Sequence, residues 1–207
     1  ANRSLFIERA DQCIRSASGN GQGVAMVLVD LERFKSINDS LGQALGDDLL
    51  RQVGAWLGER LAGSTLLGRV GSDHFAMILP NAYTPGDAAR ELEKLIAEFH
   101  DAPFLLGGTV FRISAKFGVS IFPEDGSDGE SLFRNAESAL KKAKAGGDRY
   151  LFYTEKMTEA VARKLTLENQ LRHALDNEEF VLHYQPKVNL QSGRLTSAEA
   201  LIRWNDP

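Results

Sequence analysis

The sequence predicts an α+β fold, a sheet rich in antiparallel pairs covered by helices. Three observations carry this. Gly23 to Asp30 is a continuous apolar run closed by a single charge, the pattern of a central strand. Two short apolar segments, Leu66 to Val70 and Phe75 to Leu79, flank Gly71-Ser72-Asp73-His74 and read as a hairpin. Phe111, Ile113, Ala115, Phe117, Val119 and Ile121 alternate with Arg112, Ser114 and Lys116, the period of a strand.

The helices between these strands follow from spacing and end signals. Cys13 lies in a stretch that reads as helix. Gly19-Asn20-Gly21-Gln22-Gly23 precedes a strand rather than following one, so it is no dinucleotide fingerprint. Leu50, Val53, Leu57 and Leu61 share one helix face. Thr84-Pro85-Gly86-Asp87 starts another helix, with Thr84 as cap, and Leu92, Leu95, Ile96 and Phe99 form its stripe. Gly107-Gly108 joins Phe104–Leu106 to the alternating strand, which is expected to run unbroken. Leu132, Phe133, Ala136, Leu140 and Ala143 line a helix ended by Gly146-Gly147. Arg149 to Tyr153 is expected to be a last short strand. Three regions follow: a domain over 1–153, a charged connector helix over 154–177, and a further hairpin over 178–207 with a turn at Gln191-Ser192-Gly193.

Composition narrows the function. Apolar residues make up 43% of the 207, enough for a full core, and the net charge of −4 argues against a nucleic-acid binder, which carries a basic face. A single cysteine excludes an internal disulfide framework. The longest apolar run is too short to span a bilayer, so no membrane contact is expected of this segment. Its opening residues read as the middle of a sequence.

Asp30 closes one strand and Asp73 sits in a hairpin turn. If those strands are neighbours, two carboxylates converge at one sheet edge, an arrangement that holds Mg²⁺ and through it a triphosphate. Two unrelated surface acids at strand ends are the plainer alternative. The flanking residues weigh against it. Phe34-Lys35-Ser36-Ile37-Asn38-Asp39, then Gly42 and Gly46-Asp47, with Gly71-Ser72-Asp73-His74-Phe75 further on, resemble the signature of GGDEF domains, which make cyclic di-GMP from two GTP molecules. The resemblance runs from residue 2 to about 153. It implies a nucleotidyl-cyclase palm-like fold, GTP as ligand with Mg²⁺ or Mn²⁺, a cytoplasmic location and a region upstream. It implies that Asp30, Asp73 and the Leu31 carbonyl bind the metal. Lys35 and Lys144 would meet phosphates, and Asn38 and Asp47 would read guanine, an amide and a carboxylate matched to its acceptor and donors. Alternatively Asn38 and Asp47 serve as turn and helix-cap residues, and Lys144 complements a helix C-terminus.

The departures from the family are as specific as the match. Ser72 stands where the motif has its second glycine, so its Cβ is expected to crowd the nucleotide or strain the turn. His74 replaces an acidic residue, and a neutral imidazole cannot supply the lost negative charge. Glu32 and Gln43 are milder changes. Asp148 stands where a phosphate-facing arginine is expected, with Arg149 one place later. Positions 62–65 read Ala-Gly-Ser-Thr, so the Arg-x-x-Asp product-inhibition motif is absent.

Tyr184-Gln185-Pro186 and Ser197-Ala198-Glu199-Ala200-Leu201-Ile202-Arg203-Trp204 resemble the opening of an EAL domain, the cyclic di-GMP phosphodiesterase. That resemblance makes Glu199 a metal ligand, places Leu201 in the motif, and gives Gln185 and Arg203 substrate contacts. Cyclic di-GMP would then be a ligand of the complete EAL domain only. Three functions stay open at this point: a regulatory GTP-binding module, a weak diguanylate cyclase, which needs a homodimer to bring two GTP sites face to face, and a dimerising domain that binds no nucleotide.

Overall fold

The structure, a computed structural model, describes residues 3–61, 66–155, 171, 174, 177 and 179–204. Two compact units divide the chain, Ala1–Thr158 and Glu159–Pro207. The expected connector helix over 154–177 and positions 62–65 fall almost wholly outside the described residues.

The first unit is a five-stranded sheet with helices on both faces. Its order of elements is α1 (Arg3–Gly19), β1 (Val24–Leu31), α2 (Phe34–Leu41), α3 (Gln43–Arg60), β2 (Leu66–Arg69), β3 (His74–Pro80), α4 (Pro85–Asp101), β4 (Phe104–Leu106), β5 (Thr109–Phe111), β6 (Ala115–Phe122), α5 (Gly129–Gly146) and β7 (Tyr150–Phe152). The strands lie in the order β2-β3-β1-β6-β7, antiparallel except for the β6–β7 pair.

All eight residues of β1 are buried, as the unbroken apolar run requires of a strand covered on both faces. Ala25, Val27, Val29 and Leu31 join the core that also holds residues of α3 and α4. Val24, Met26 and Leu28 join a second core with Phe6, Ala10 and Ile14 of α1 and Leu132, Phe133, Ala136 and Leu140 of α5. The period of two therefore puts Asp30 on the α1/α5 face.

Helix ends match their residues. Thr84 and Asp87 form a reciprocal capping box with Pro85 in the first turn, and Asp128 with Ser131 forms another at the start of α5. Gly147 closes α5 in the left-handed conformation, φ 82°.

The expected single strand over 111–121 is instead two. Among the described residues β5 pairs only with β4, while β6 pairs with β1 and β7. Residues 112–114 are the break where the chain leaves the small hairpin for the main sheet, and the Glu32 N–H bonds the Ser114 carbonyl there, 2.9 Å. The Lys116–Ser120 side of β6 is covered as well. α5 packs on it so closely that a Cβ on Gly118 would collide with the backbone at Ala136 and Leu140, and the Ser120 hydroxyl donates to the Leu132 carbonyl at 2.7 Å.

The second unit contains an antiparallel hairpin, β8 (Phe180–Val188) and β9 (Leu195–Trp204). Trp204 donates its indole N–H to Glu179 at 2.9 Å. Phe180, Leu201 and Trp204 are half-buried, whereas Leu182 and Tyr184 remain exposed.

Candidate nucleotide and metal site

The site forms where β1 ends. Register puts Asp30 opposite His74 on β3 and opposite Lys116 on β6, so three charged side chains stand in one row on the α5 face. The β2–β3 turn folds against the same end. Its Asp73 carbonyl accepts from the Leu31 N–H at 3.3 Å, and Arg69 clamps the Gly71 and Ser72 carbonyls at 3.1 and 2.7 Å.

The two carboxylates do converge, but His74 lies between them. Its Nε2 is 2.8 Å from Asp30 Oδ2 and its Nδ1 is 2.9 Å from Asp73 Oδ1. Lys144, in the last turn of α5, donates to Asp30 Oδ2 at 2.6 Å. Asp30 is buried, at 3% exposure. Burial alone pushes its carboxyl up, but the hydrogen bonds from His74 and Lys144 outweigh it and hold the group below the ordinary carboxylate range. The hydrogen bond to Asp30 raises His74 above the usual imidazole value against the opposing effect of burial. Between two carboxylates, His74 holds its proton more strongly than a free imidazole does, which bears on the neutral form expected from the sequence.

The turn itself is relaxed. Among the described residues the non-glycine positions with positive φ are Arg33 and Asn81, so Ser72 does not strain the backbone as expected. Its hydroxyl donates to Asp73 Oδ1 at 2.7 Å. Lys144 does not merely complement a helix end, because its ammonium reaches a specific acid. Lys116, which the sequence placed only in alternation with the apolar residues of its strand, takes that other role. It donates to the Gly147 and Asp148 carbonyls at 2.9 and 2.7 Å and lies 3.9 Å from Glu32, pinning the end of α5 to β6. Its only sequence signal was a lysine in a strand beside a helix C-terminus that nothing yet placed there.

Phe34, Lys35 and Asn38 lie on α2, and Asp47 in the first turns of α3. Asn38 is therefore helical rather than a turn residue. Asp47 is no cap, since that position belongs to Gly42 and makes no side-chain bond. Phe34 is buried and Asn38 is half-buried, its Oδ1 enclosed without a hydrogen-bond partner. That oxygen occupies the space a Cβ on residue 46 would fill, so Gly46 makes room for the Asn38 amide. Lys35 and Asp47 are exposed on the same two helices. In the second unit, register puts Gln185 opposite Glu199, and Glu199, Leu201 and Arg203 share one face of β9. Lys187 pairs with Glu199 at 3.1 Å.

A family model described as the diguanylate cyclase GGDEF domain matches residues 1–150. The chain belongs to the GGDEF family. Residues 168–207 match the start of an EAL domain. A bifunctional diguanylate cyclase/cyclic di-GMP phosphodiesterase of Pseudomonas aeruginosa, MucR, is 35% identical over all 207 residues. So is a cyclic di-GMP phosphodiesterase of Escherichia coli, PdeR. The chain covers 30% and 31% of those relatives, so it spans about a third of their length. Among solved structures, the GGDEF domain of YfiN from Pseudomonas aeruginosa is similar at TM-score 0.72 and 29% identity, over 78% of this chain and 94% of that one. The GGDEF domain of DgcB from Caulobacter crescentus, in complex with c-di-GMP, is similar at 0.64 and 26%, over 74% and 90%. Among the described residues no helix is long and apolar enough to cross a membrane.

The family implies a magnesium site, and the donors present fit it only in part. Asp30 and Asp73 supply carboxylate oxygens. The third side chain within reach is an imidazole, and Mg²⁺ demands a near-octahedral oxygen shell.

Proposed function

We propose that the GGDEF unit is a regulatory GTP-binding module of a cyclic di-GMP signalling protein, impaired as a cyclase. In this reading Asn38 and Asp47 take the guanine edge, and Lys35 faces the phosphates. Lys144 exchanges its Asp30 contact for phosphate contact when nucleotide arrives. The bound state then influences the EAL domain, whose match begins at residue 168.

One observation carries the impairment: the imidazole of His74 spans Asp30 and Asp73, and Lys144 bonds the same Asp30 oxygen. The carboxylates that would grip a metal are already engaged by side chains of the fold. Guanine recognition rests on other elements, α2 and α3, so binding can outlast the loss of chemistry. A synthase also needs two such sites correctly loaded face to face, and any misplacement counts in both.

Calorimetric titration with GTP and ATP, with and without divalent cation, tests the proposal. GTP is expected to bind at micromolar or weaker affinity and more tightly than ATP. Asn38→Ala and Asp47→Ala are each expected to weaken it about five-fold or more, since one unpaired polar contact costs roughly 1–3 kcal/mol. Equal affinity for both nucleotides, or indifference to both substitutions, refutes it. Formation of cyclic di-GMP above a metal-free control supports instead the weak cyclase.

A further inference from the structure

We infer that the Asp30–Asp73–His74 cluster selects a nitrogen-accepting transition cation, of the Zn²⁺ type, over Mg²⁺. The inference rests on this cluster being the divalent-cation site of the GTP-binding reading, and it concerns the metal alone.

The geometry has three parts. One ligand atom from each residue lies within 4.8 Å of the others, on the rigid end of a buried strand and its adjoining turn. Asp30 Oδ2 and His74 Nε2 are 2.8 Å apart, and neighbours in a tetrahedral zinc shell of 2.0–2.1 Å bonds stand roughly 3.3 Å apart. A small side-chain rotation opens that gap for an ion. Asp73 meanwhile faces the other ring nitrogen, Nδ1, at 2.9 Å. A carboxylate behind a histidine fixes the tautomer and aims the second nitrogen, as it does for metal-bound histidines generally. Ser72, donating to Asp73, steadies that carboxylate in turn.

Chemistry then sets the preference. Imidazole suits zinc, copper, iron and nickel, whereas Mg²⁺ prefers oxygen and sheds its waters reluctantly. Replacing one carboxylate by a neutral ligand also removes a charge that a hard ion depends on. On binding, His74 gives one N–H proton to solvent and offers the freed lone pair. Lys144 must leave Asp30 Oδ2 or share the carboxylate, so it competes with any ion.

The test uses Zn²⁺ or Mg²⁺ alone, titrated into nucleotide-free protein by calorimetry, with ¹⁵N NMR of the His74 ring as the site-specific readout. Zn²⁺ is expected to bind at least about 100-fold more tightly than Mg²⁺ and to shift the His74 Nε2 resonance. Circular dichroism first establishes that each variant is folded. His74→Gln is expected to abolish the shift and lower Zn²⁺ affinity at least ten-fold. His74→Glu, with an all-oxygen set, is expected to narrow the Zn²⁺/Mg²⁺ ratio at least ten-fold. Lys144→Met is expected to strengthen Zn²⁺ binding, because a competing cation is gone. Equal affinities for the two ions, or Zn²⁺ binding that leaves the His74 ring unshifted, overturns the inference. Because no nucleotide is present, failure here leaves the GTP reading standing, and failure of GTP to bind leaves this result intact.

Discussion

Replacing Gly46 with alanine separates recognition from stability. A Cβ there would fall on Asn38 Oδ1, stand 2.9 Å from Asn38 Cγ, and touch Phe34 Cζ at 3.4 Å. Ordinary carbon contacts lie near 3.5 Å, so Cγ must retreat by about 0.6 Å and the amide must swing further. The obstacle is the free end of a side chain whose Oδ1 has no partner to lose. Folding should therefore tolerate the change. Alanine in the interior of α3 also contributes about 0.5–1 kcal/mol over glycine, worth roughly 1–4 °C in a domain of this size. On the proposed GTP-binding reading, guanine recognition should suffer, because the amide assigned to the base is displaced. Losing one such contact costs roughly 1–3 kcal/mol, about 5- to 150-fold in Kd. Thermal melting and GTP calorimetry on the same samples decide it. A lower melting temperature would show that Asn38 cannot yield, and an unchanged GTP affinity would remove it from the guanine site.

Gly118→Ala should be the reverse case, since its Cβ meets the α5 backbone rather than a mobile side chain; a loss of about 3 kcal/mol in urea unfolding is expected, and less than 1 kcal/mol would contradict the close helix–sheet approach. Lys116→Met should cost roughly 1.5–3 kcal/mol and speed amide exchange over residues 144–149, because two carbonyls lose a charged donor; unchanged exchange there would deny Lys116 its role. Asp128→Ala should destabilise by about 0.5–2 kcal/mol at pH 7. The Ser131 backbone hydrogen bond lowers the folded pKa of Asp128, so this contribution is present above the ordinary value of 3.8 and fades as pH falls through the folded value. The gap between wild-type and variant melting curves should thus close in acid; a constant gap would show that the charge does not matter.

Much of the fold was legible because local rules settled it. The β1 run, the Thr84–Asp87 box and the closure of α5 at Gly147 each follow from a few adjacent residues. α1 was foreshadowed only at Cys13; the helical spacing of Phe6, Ala10 and Ile14, which the structure buries, was not read. What sequence could not give were relations across the chain. Asp30 and Lys144 are 114 positions apart, and nothing local says that the end of α5 lies over the end of β1. The split of β5 from β6 escaped because alternation continues through 112–114 while the pairing partner changes. His74 was recognisable as a substitution, but its effect depends on standing between two acids, which only the register reveals.

That register has a consequence for how this site can change over time. His74, Asp30 and Lys116 form a single rung across three neighbouring strands. Shifting β1 by one residue would turn Asp30 to the opposite face of the sheet and drag an apolar neighbour into its place. Insertions and deletions in β1 are thus barred by the core itself, whereas substitutions at 72 and 74 alter only the rim. Such a frame can exchange the side chains at its rim one at a time while the strand pairing beneath them stays in register.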